Sequence, residues 1–416
     1  METVLQRLRW PLTALVLLAL ALAISWTTRV ALADYALRQD NISSLELALH
    51  LTPDQAAIHT RLASLIEAED PNGAMTLLER AVSLNPWDTS ARIRLGLHRE
   101  AAGDLNGAVQ DLLEAARHDR LYLPRWTLAN HYFRRGDTAH FWQWAGAAAE
   151  MVYDDGTALF RLCGGVQEDG RLIERLNIRR PDIRAYYLGY LLRAQRFDVV
   201  MPAVRTLLAD RRPADVELLL NTSDRLIDRN FIPDAIEIWN SLSSARRIPF
   251  EALAPEQGRV LTNSKFLTRP TSHGFDWHSS EASGITAGQE GALGGWRATF
   301  SGQQPEHCEI LAQLLPLPQN SELELTVAYR TADITPPSGL ELLVADAANG
   351  AIIAAADNLC SEEGEIRTLR FRTPAVSRLA RLSVCYHRAV GTARIDGYLT
   401  IREVGLRLAT RLSKTG

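Results

Sequence analysis

The chain has 416 residues, more than one core usually organises, so two or three structural units are expected. Its 45 basic and 49 acidic side chains leave a net charge of −4. That balance gives no global positive field for nucleic acid, so no nucleic-acid partner is expected.

The first specific signal is at the N-terminus. Leu12 to Ser25 is uncharged and mostly Leu and Ala, with Arg7 and Arg9 before it, Arg29 after it, and Trp10 and Trp26 at its edges. A run of roughly 17–20 apolar residues matches the hydrocarbon thickness of a bilayer, and Trp belongs at its two interfaces. Residues 1–30 are therefore expected to be a cytoplasmic stub and one transmembrane anchor. Ala31-Leu32-Ala33 ahead of Asp34 offers a small-x-small cleavage pattern, so a removable signal peptide is the competing reading. Thr27-Thr28-Arg29-Val30 is a long, charged approach to such a site, and the Trp pair suits a resident helix. Both readings put the bulk of the chain outside the cytoplasm; the expectation is a single-pass inner-membrane protein with a periplasmic body.

From 31 to 245 the pattern is Ala- and Leu-rich with helical period, punctuated by Gly-Asp and Asn-Pro. It repeats. Gly103-Asp104 and Gly136-Asp137 are 136 − 103 = 33 residues apart, and Ala74/Leu78/Ala81 returns as Ala108/Leu112/Ala115 after 108 − 74 = 34. Leu45/Ala48/Pro53 precedes Leu78/Ala81/Pro86 by 33, and Leu95-Gly96 precedes Leu128-Ala129 by 33. Small residues let paired helices approach where they cross, large ones fill the gaps, and glycine accepts the positive φ of the turn. These registers, with the run Leu128-Ala129-Asn130-His131-Tyr132-Phe133-Arg134-Arg135-Gly136-Asp137, resemble the tetratricopeptide-repeat family. About three good repeats are expected, then a break over 154–182, then two degenerate units.

The resemblance implies a solenoid whose first helices line a concave groove that holds an extended peptide or a partner's helix. By register His59, Ser64, Ile93, Leu97, Trp126, Asn130, Phe133 and Arg134 lie on or near that face. Trp126, Asn130, Phe133 and Arg134 are the candidate protein-binding residues; Asn130 and Arg134, one turn apart, could meet a peptide backbone or carboxylate, or could pair within the array. Phe141, Trp142 and Trp144 read as packing between repeats.

Residues 246–258 break the rhythm and read as a linker. Beyond them, over 259–410, the period changes to two. Leu323, Leu325, Val327 and Tyr329 alternate with polar residues, as do Leu382, Val384 and Tyr386. Such runs between Gly, Pro and Asn turns predict an antiparallel sandwich of about nine strands. Leu261-Thr262-Asn263-Ser264-Lys265-Phe266, Gly274-Phe275-Asp276-Trp277, the Gln313–Pro318 run and Phe371-Arg372-Thr373-Pro374 resemble the jelly-roll sandwiches of carbohydrate-binding modules. The resemblance implies glycan binding by aromatic faces beside polar partners. The candidates are Trp277, Trp296, Tyr386, Asp276 and Arg297, with Tyr398 and His278 nearby, and core packing is the alternative for each. Of the four cysteines, Cys308 and Cys385 could bridge two strands; four buried thiols are equally open.

The sequence contains no phosphate loop, Gly-x-Ser-x-Gly elbow, His-Glu-x-x-His or paired Cys-x-x-Cys. No cofactor and no metal site is expected. Asp276, Glu281 and Glu290 lack supporting groups for hydrolysis, so the chain is expected to bind rather than catalyse. The fold class is thus a multidomain chain: a transmembrane helix, an all-α helical-repeat solenoid and an all-β sandwich. Its domain order is similar to bacterial anchored repeat proteins of exopolysaccharide synthesis and export. That similarity implies an envelope scaffold with a protein partner in the groove, a possible polysaccharide on the sandwich and the membrane through the first helix. A purely protein-binding assembly factor and a carbohydrate-active enzyme are the alternatives.

Overall fold

The structure is a computed structural model that describes residues 2–167, 170–291 and 294–409. The chain divides into two compact units, 1–183 and 184–416.

The first unit opens with α1 (Glu2–Gln39), followed by α2 (Ile42–Leu51), α3 (Ala56–Ile66), α4 (Pro71–Leu84), α5 (Thr89–Ala101), α6 (Leu105–His118), α7 (Tyr122–Arg134), α8 (Thr138–Ala149), α9 (Thr157–Val166) and α10 (Leu172–Arg175). From α1 to α8 each helix packs on the next, and the short turns between them force antiparallel pairs. Aspartates set the start of the second helices: Asp70, Asp104 and Asp137 accept from the backbone N–H of Gly73, Gly107 and His140 at 2.9, 2.9 and 3.1 Å. Each such cap is worth about 1 kcal/mol. The residues that define the repeat are the ones buried. Leu45, Ala48, Ala74, Leu78, Ala81, Ala108, Leu112 and Ala115 all have no exposed surface. At Gly96 an added Cβ would lie 3.0 Å from the Leu112 side chain, so glycine is what permits α5 to approach α6 so closely.

Thr13–Gln39 of α1 is long and apolar enough to cross a membrane, and its most apolar window is entirely unburied. The helix does not stop at the end of that stretch. Its last turns carry Ala33 and Ala36 into a cluster with Leu45, Ala48, Ile58 and Leu62, so α1 is both the apolar span and the first helix of the first pair.

The second unit begins in α11 (Pro181–Arg193) and continues through α12 (Val200–Asp210), α13 (Val216–Asp228) and α14 (Ile232–Ser244). Ten strands follow among the described residues: β1 (Trp277–Ser279), β2 (Ile285–Gln289), β3 (Trp296–Ser301), β4 (His307–Pro316), β5 (Glu322–Ala332), β6 (Leu340–Asp346), β7 (Ile352–Ala356), β8 (Glu365–Arg372), β9 (Leu379–His387) and β10 (Asp396–Leu408). They form two five-stranded antiparallel sheets, β1-β4-β9-β6-β7 and β2-β3-β10-β5-β8. One hydrophobic core lies between them, and the alternating residues Leu323, Leu325, Val327, Tyr329, Leu382, Val384 and Tyr386 all point into it.

The stretch before β1 is not strand. Phe250 stacks on Trp239 of α14 at 5.5 Å, and the Asn240 side chain exchanges hydrogen bonds with the backbone of Leu253 at 2.9 and 2.7 Å. Asp224 of α13 accepts from His273 Nδ1 at 2.7 Å and from the Gly274 backbone N–H, while Phe275 meets the edge of Trp239. This clasp fixes the last helices to the sandwich within one unit.

Of the two readings left open for the cysteines, the Cys308–Cys385 bridge does not form. The β4/β9 register sets Cys308 opposite Tyr386 and Cys385 opposite Glu309. The two cysteines therefore stand on opposite faces of the sheet, Cys308 against the core and Cys385 outward. All four thiols are free.

Candidate functional site

Among the described residues, one hollow in each unit brings together side chains distant in sequence. In the first unit, the first helices of successive pairs are parallel neighbours, so their outward residues share a face. A hollow of about 370 Å³ opens there between α3, α5 and α7. Ile93 forms its buried floor, and Leu97 and Leu123 stand exposed at its rim. On one side Arg94 Nη1 donates to Glu67 Oε2 at 2.8 Å, and His98 Nε2 lies 3.5 Å from the same carboxylate. An apolar floor beside a part-exposed ion pair suits one apolar side chain of a partner, with the charges available to its backbone or flanking residues. Ile93 and Leu97 were readable from register at i, i+4. Glu67, Arg94 and Leu123 were missed, because they come from three helices and only the repeat offset could have joined them.

The candidate residues one repeat further on are occupied. Trp126 is half-buried and stacked on Tyr122 at 5.9 Å. Asn130 Nδ2 donates to the Trp126 carbonyl of its own helix at 2.8 Å. Arg134 grips Glu100 through Nε and Nη2 at 2.8 and 2.7 Å, and the same carboxylate meets Nδ1 of the fully buried His131 at 2.9 Å. Burial alone would raise the Glu100 pKa, but these two cationic or donor neighbours hold it below the ordinary 4.5. Arg134 thus pairs within the array. Phe133 stays exposed. Phe141 is buried, Trp144 packs on the Ile93/Leu112/Leu128 cluster and Trp142 lies under Arg175.

In the sandwich, most glycan candidates are corrected. Trp277, Trp296, Tyr386 and Asp276 are at most 1% exposed, so none can offer a ring or a carboxylate to a sugar. The three rings belong to the core, and Tyr386 Oη accepts from the Ile395 backbone N–H at 3.3 Å. Asp276 Oδ2 accepts from the Thr271 N–H and hydroxyl at 2.7 and 2.9 Å, and burial pushes its carboxyl above 3.8. Aromatic rings beside a carboxylate look the same in sequence whether they face solvent or a core. Arg297 remains accessible, on the outward face of β3; its guanidinium lies 4.3 Å from the ring centre of half-buried Tyr398, and it pairs with Glu290. His278 is half-buried on β1.

A larger hollow of about 850 Å³ lies where the end of α13 faces the sandwich. Asp228 and Asn230 line one side, Asn349, Ser377 and Arg378 the other, with Leu314 and Arg381 at the base. Asp228, Asn230, Asp346, Asn349, Arg378 and Arg381 in its lining offer planar hydrogen-bonding groups. Residues so far apart in sequence gave no local signal. Among the described residues no cluster of three or more His, Cys, Asp or Glu is placed to hold a metal ion.

The fold is a run of antiparallel helix pairs followed by an antiparallel sandwich of two five-stranded sheets, the architecture expected from the tetratricopeptide and jelly-roll patterns. Solved structures similar to the two parts include the TPR protein YrrB, 11% identical, covering 50% of this chain and 94% of its own, with a TM-score of 0.27. The sandwich is matched by a CBM4 module, 12% identical, covering 35% of this chain and 98% of its own at a TM-score of 0.28. It is matched also by TmCBM61 bound to β-1,4-galactotriose, 15% identical, covering 36% and 98% at 0.26. No family model matches the chain, and no curated protein matches it.

Proposed function

We propose that this chain is a non-catalytic, membrane-anchored scaffold whose helical repeats hold a protein partner and whose sandwich engages a glycan or a second protein during cell-envelope or exopolysaccharide assembly. The observation that carries the reading is the hollow at Ile93, Leu97 and Leu123, an apolar seat on the shared face of three parallel helices. The part-exposed Arg94–Glu67 pair beside it supplies orientation. A photoreactive residue at Leu97 of the membrane-embedded chain should yield one dominant protein adduct, lost when Leu123 is changed to Asp. Random, Leu123-independent adducts would remove the groove from the proposal.

The anchor reading draws on α1. Trp10 and Trp26 are 82% and 66% exposed at the ends of the apolar stretch, about 24 Å apart by helical rise. Ala33, which would precede a signal-peptidase cut, is wholly buried in the first helix pair. An intact helix there favours an uncut anchor; a periplasmic body is part of the same proposal and rests on the anchor reading, not on the helix. The mass of the chain recovered from membranes checks this: a loss of residues 1–33 would make the segment a signal peptide.

For the sandwich, the accessible candidates are Arg297 and Tyr398 and the hollow at Asp228, Asn230 and Arg378. Polysaccharide retention by the full chain in nanodiscs, reduced by Tyr398→Ala or Arg378→Ala, supports a glycan ligand. Failure to retain any polysaccharide tested leaves the sandwich as a protein-binding or structural part.

A further inference from the structure

Because α1 is at once the apolar span and the first helix of the first pair, its direction orients the whole first unit. The chain leaves the apolar stretch near Trp26 and turns only at Asp40 and Asn41. Helix α2 then runs back, and counting outward from that turn sets its last residue, Leu51, level with Val30 of α1, about one helical turn from Trp26. Since α1 to α8 alternate in direction, the turns at 52–55, 85–88 and 119–121 and the 150–156 loop all lie at this same end. The turns at 40–41, 67–70, 102–104 and 135–137 lie at the other.

The two ends differ in chemistry. Both sets of turns hold acidic residues, but the far turns contain only Asp, Asn, Glu, Arg, Gly and Ala, with no large apolar side chain. The near turns carry Trp87, Leu121, Met151 and Tyr153, which are 71, 67, 40 and 82% exposed, with Leu123 beside them at 56%. The exposed rings are propped outward. Trp87 packs edge-on against His118 at 4.3 Å, and Tyr153 meets Tyr122 at 5.7 Å, which in turn stacks on Trp126. Leaving such rings in water costs apolar burial, whereas Trp and Tyr are the side chains that settle at the boundary between headgroups and acyl chains.

We infer that the turns bearing Trp87, Leu121 and Tyr153 rest on the interfacial layer of the same bilayer that α1 spans, giving the repeat unit a second, peripheral membrane contact. The inference rests on α1 being a membrane anchor. The occupant is a lipid surface because Trp87 and Tyr153 project from the turns at the end of the unit from which the span emerges, whereas the exposed rings toward the other end, Tyr35 and Phe133, lie within helices α1 and α7 and not in its turns.

The test uses the full chain reconstituted into phosphatidylethanolamine/phosphatidylglycerol vesicles, with p-benzoylphenylalanine placed in turn at Trp87, Leu121 and Tyr153, at Ala102 and Arg135 in the far turns, and at Leu20 within the span. Lipid adducts at 20, 87, 121 and 153, and loss of them at 102 and 135, are expected. Adducts at 20 without any at 87, 121 or 153 overturn the second contact and leave the anchor standing. No adduct at 20 defeats the anchor and the inference with it. Equal labelling at both ends, or protein adducts alone at the near turns, also overturns it.

Discussion

Glu100 shows what a single side chain does between repeats. It accepts from Arg134, 34 residues later, and from buried His131, so one carboxylate ties two helix pairs together. Replacing it by Gln removes the charge opposite Arg134 and leaves His131 poorly satisfied; a loss of about 1–3 kcal/mol in urea unfolding is expected. Because its folded pKa lies below 4.5, the stabilisation is complete above that value and is lost as pH falls through the folded pKa. The Glu100→Gln variant should therefore show a shallower acid limb. Asp276 has the opposite sign: burial lifts it above 3.8, so the wild type loses stability as pH rises from about 4 toward the folded value, and Asp276→Asn should flatten that segment. Single residues were the least legible level of the sequence. Period-two alternation in β5 announced which side chains are buried, but nothing local distinguishes Trp277 in a core from Trp277 under a sugar. That Arg134 pairs within the array was left open, because its partner Glu100 lies a whole repeat away.

Elements were legible wherever a period ran undisturbed. The 33- and 34-residue registers placed α3 to α8, because the same small and large positions must be buried in every pair. The strand pattern failed over 259–276, where polar and aromatic residues serve the clasp to α13 and α14 and no ladder forms. Gly274 is the hinge of that clasp: its φ is +56°, and an added Cβ would stand 2.9 Å from the Trp239 ring. A left-handed non-glycine residue costs about 1–2 kcal/mol before any clash. Gly274→Ala should thus lower the thermal midpoint, and loosening of Trp239 should be visible in its fluorescence. An unchanged midpoint would show that the clasp does little.

For the whole molecule, composition and period alone told the apolar helix, the helical part and the sandwich apart, but not that the last helices belong to the same compact unit as the sandwich. What they missed is how each joins the next, since contacts such as Phe275 on Trp239 bring together residues more than thirty positions apart. A fragment of 184–416 is expected to unfold in one cooperative transition, whereas 259–416, stripped of Trp239 and Asp224, should melt at lower temperature; equal midpoints would contradict this. The continuity of α1 has a mechanical consequence. A bilayer thinner than its apolar length is met by tilting the helix. With no break between Glu2 and Gln39, an α1 that spans a bilayer as proposed must turn the first helix pair by the same amount with every degree of tilt, so the lipid thickness under the protein would set the angle at which the proposed partner-binding face is presented.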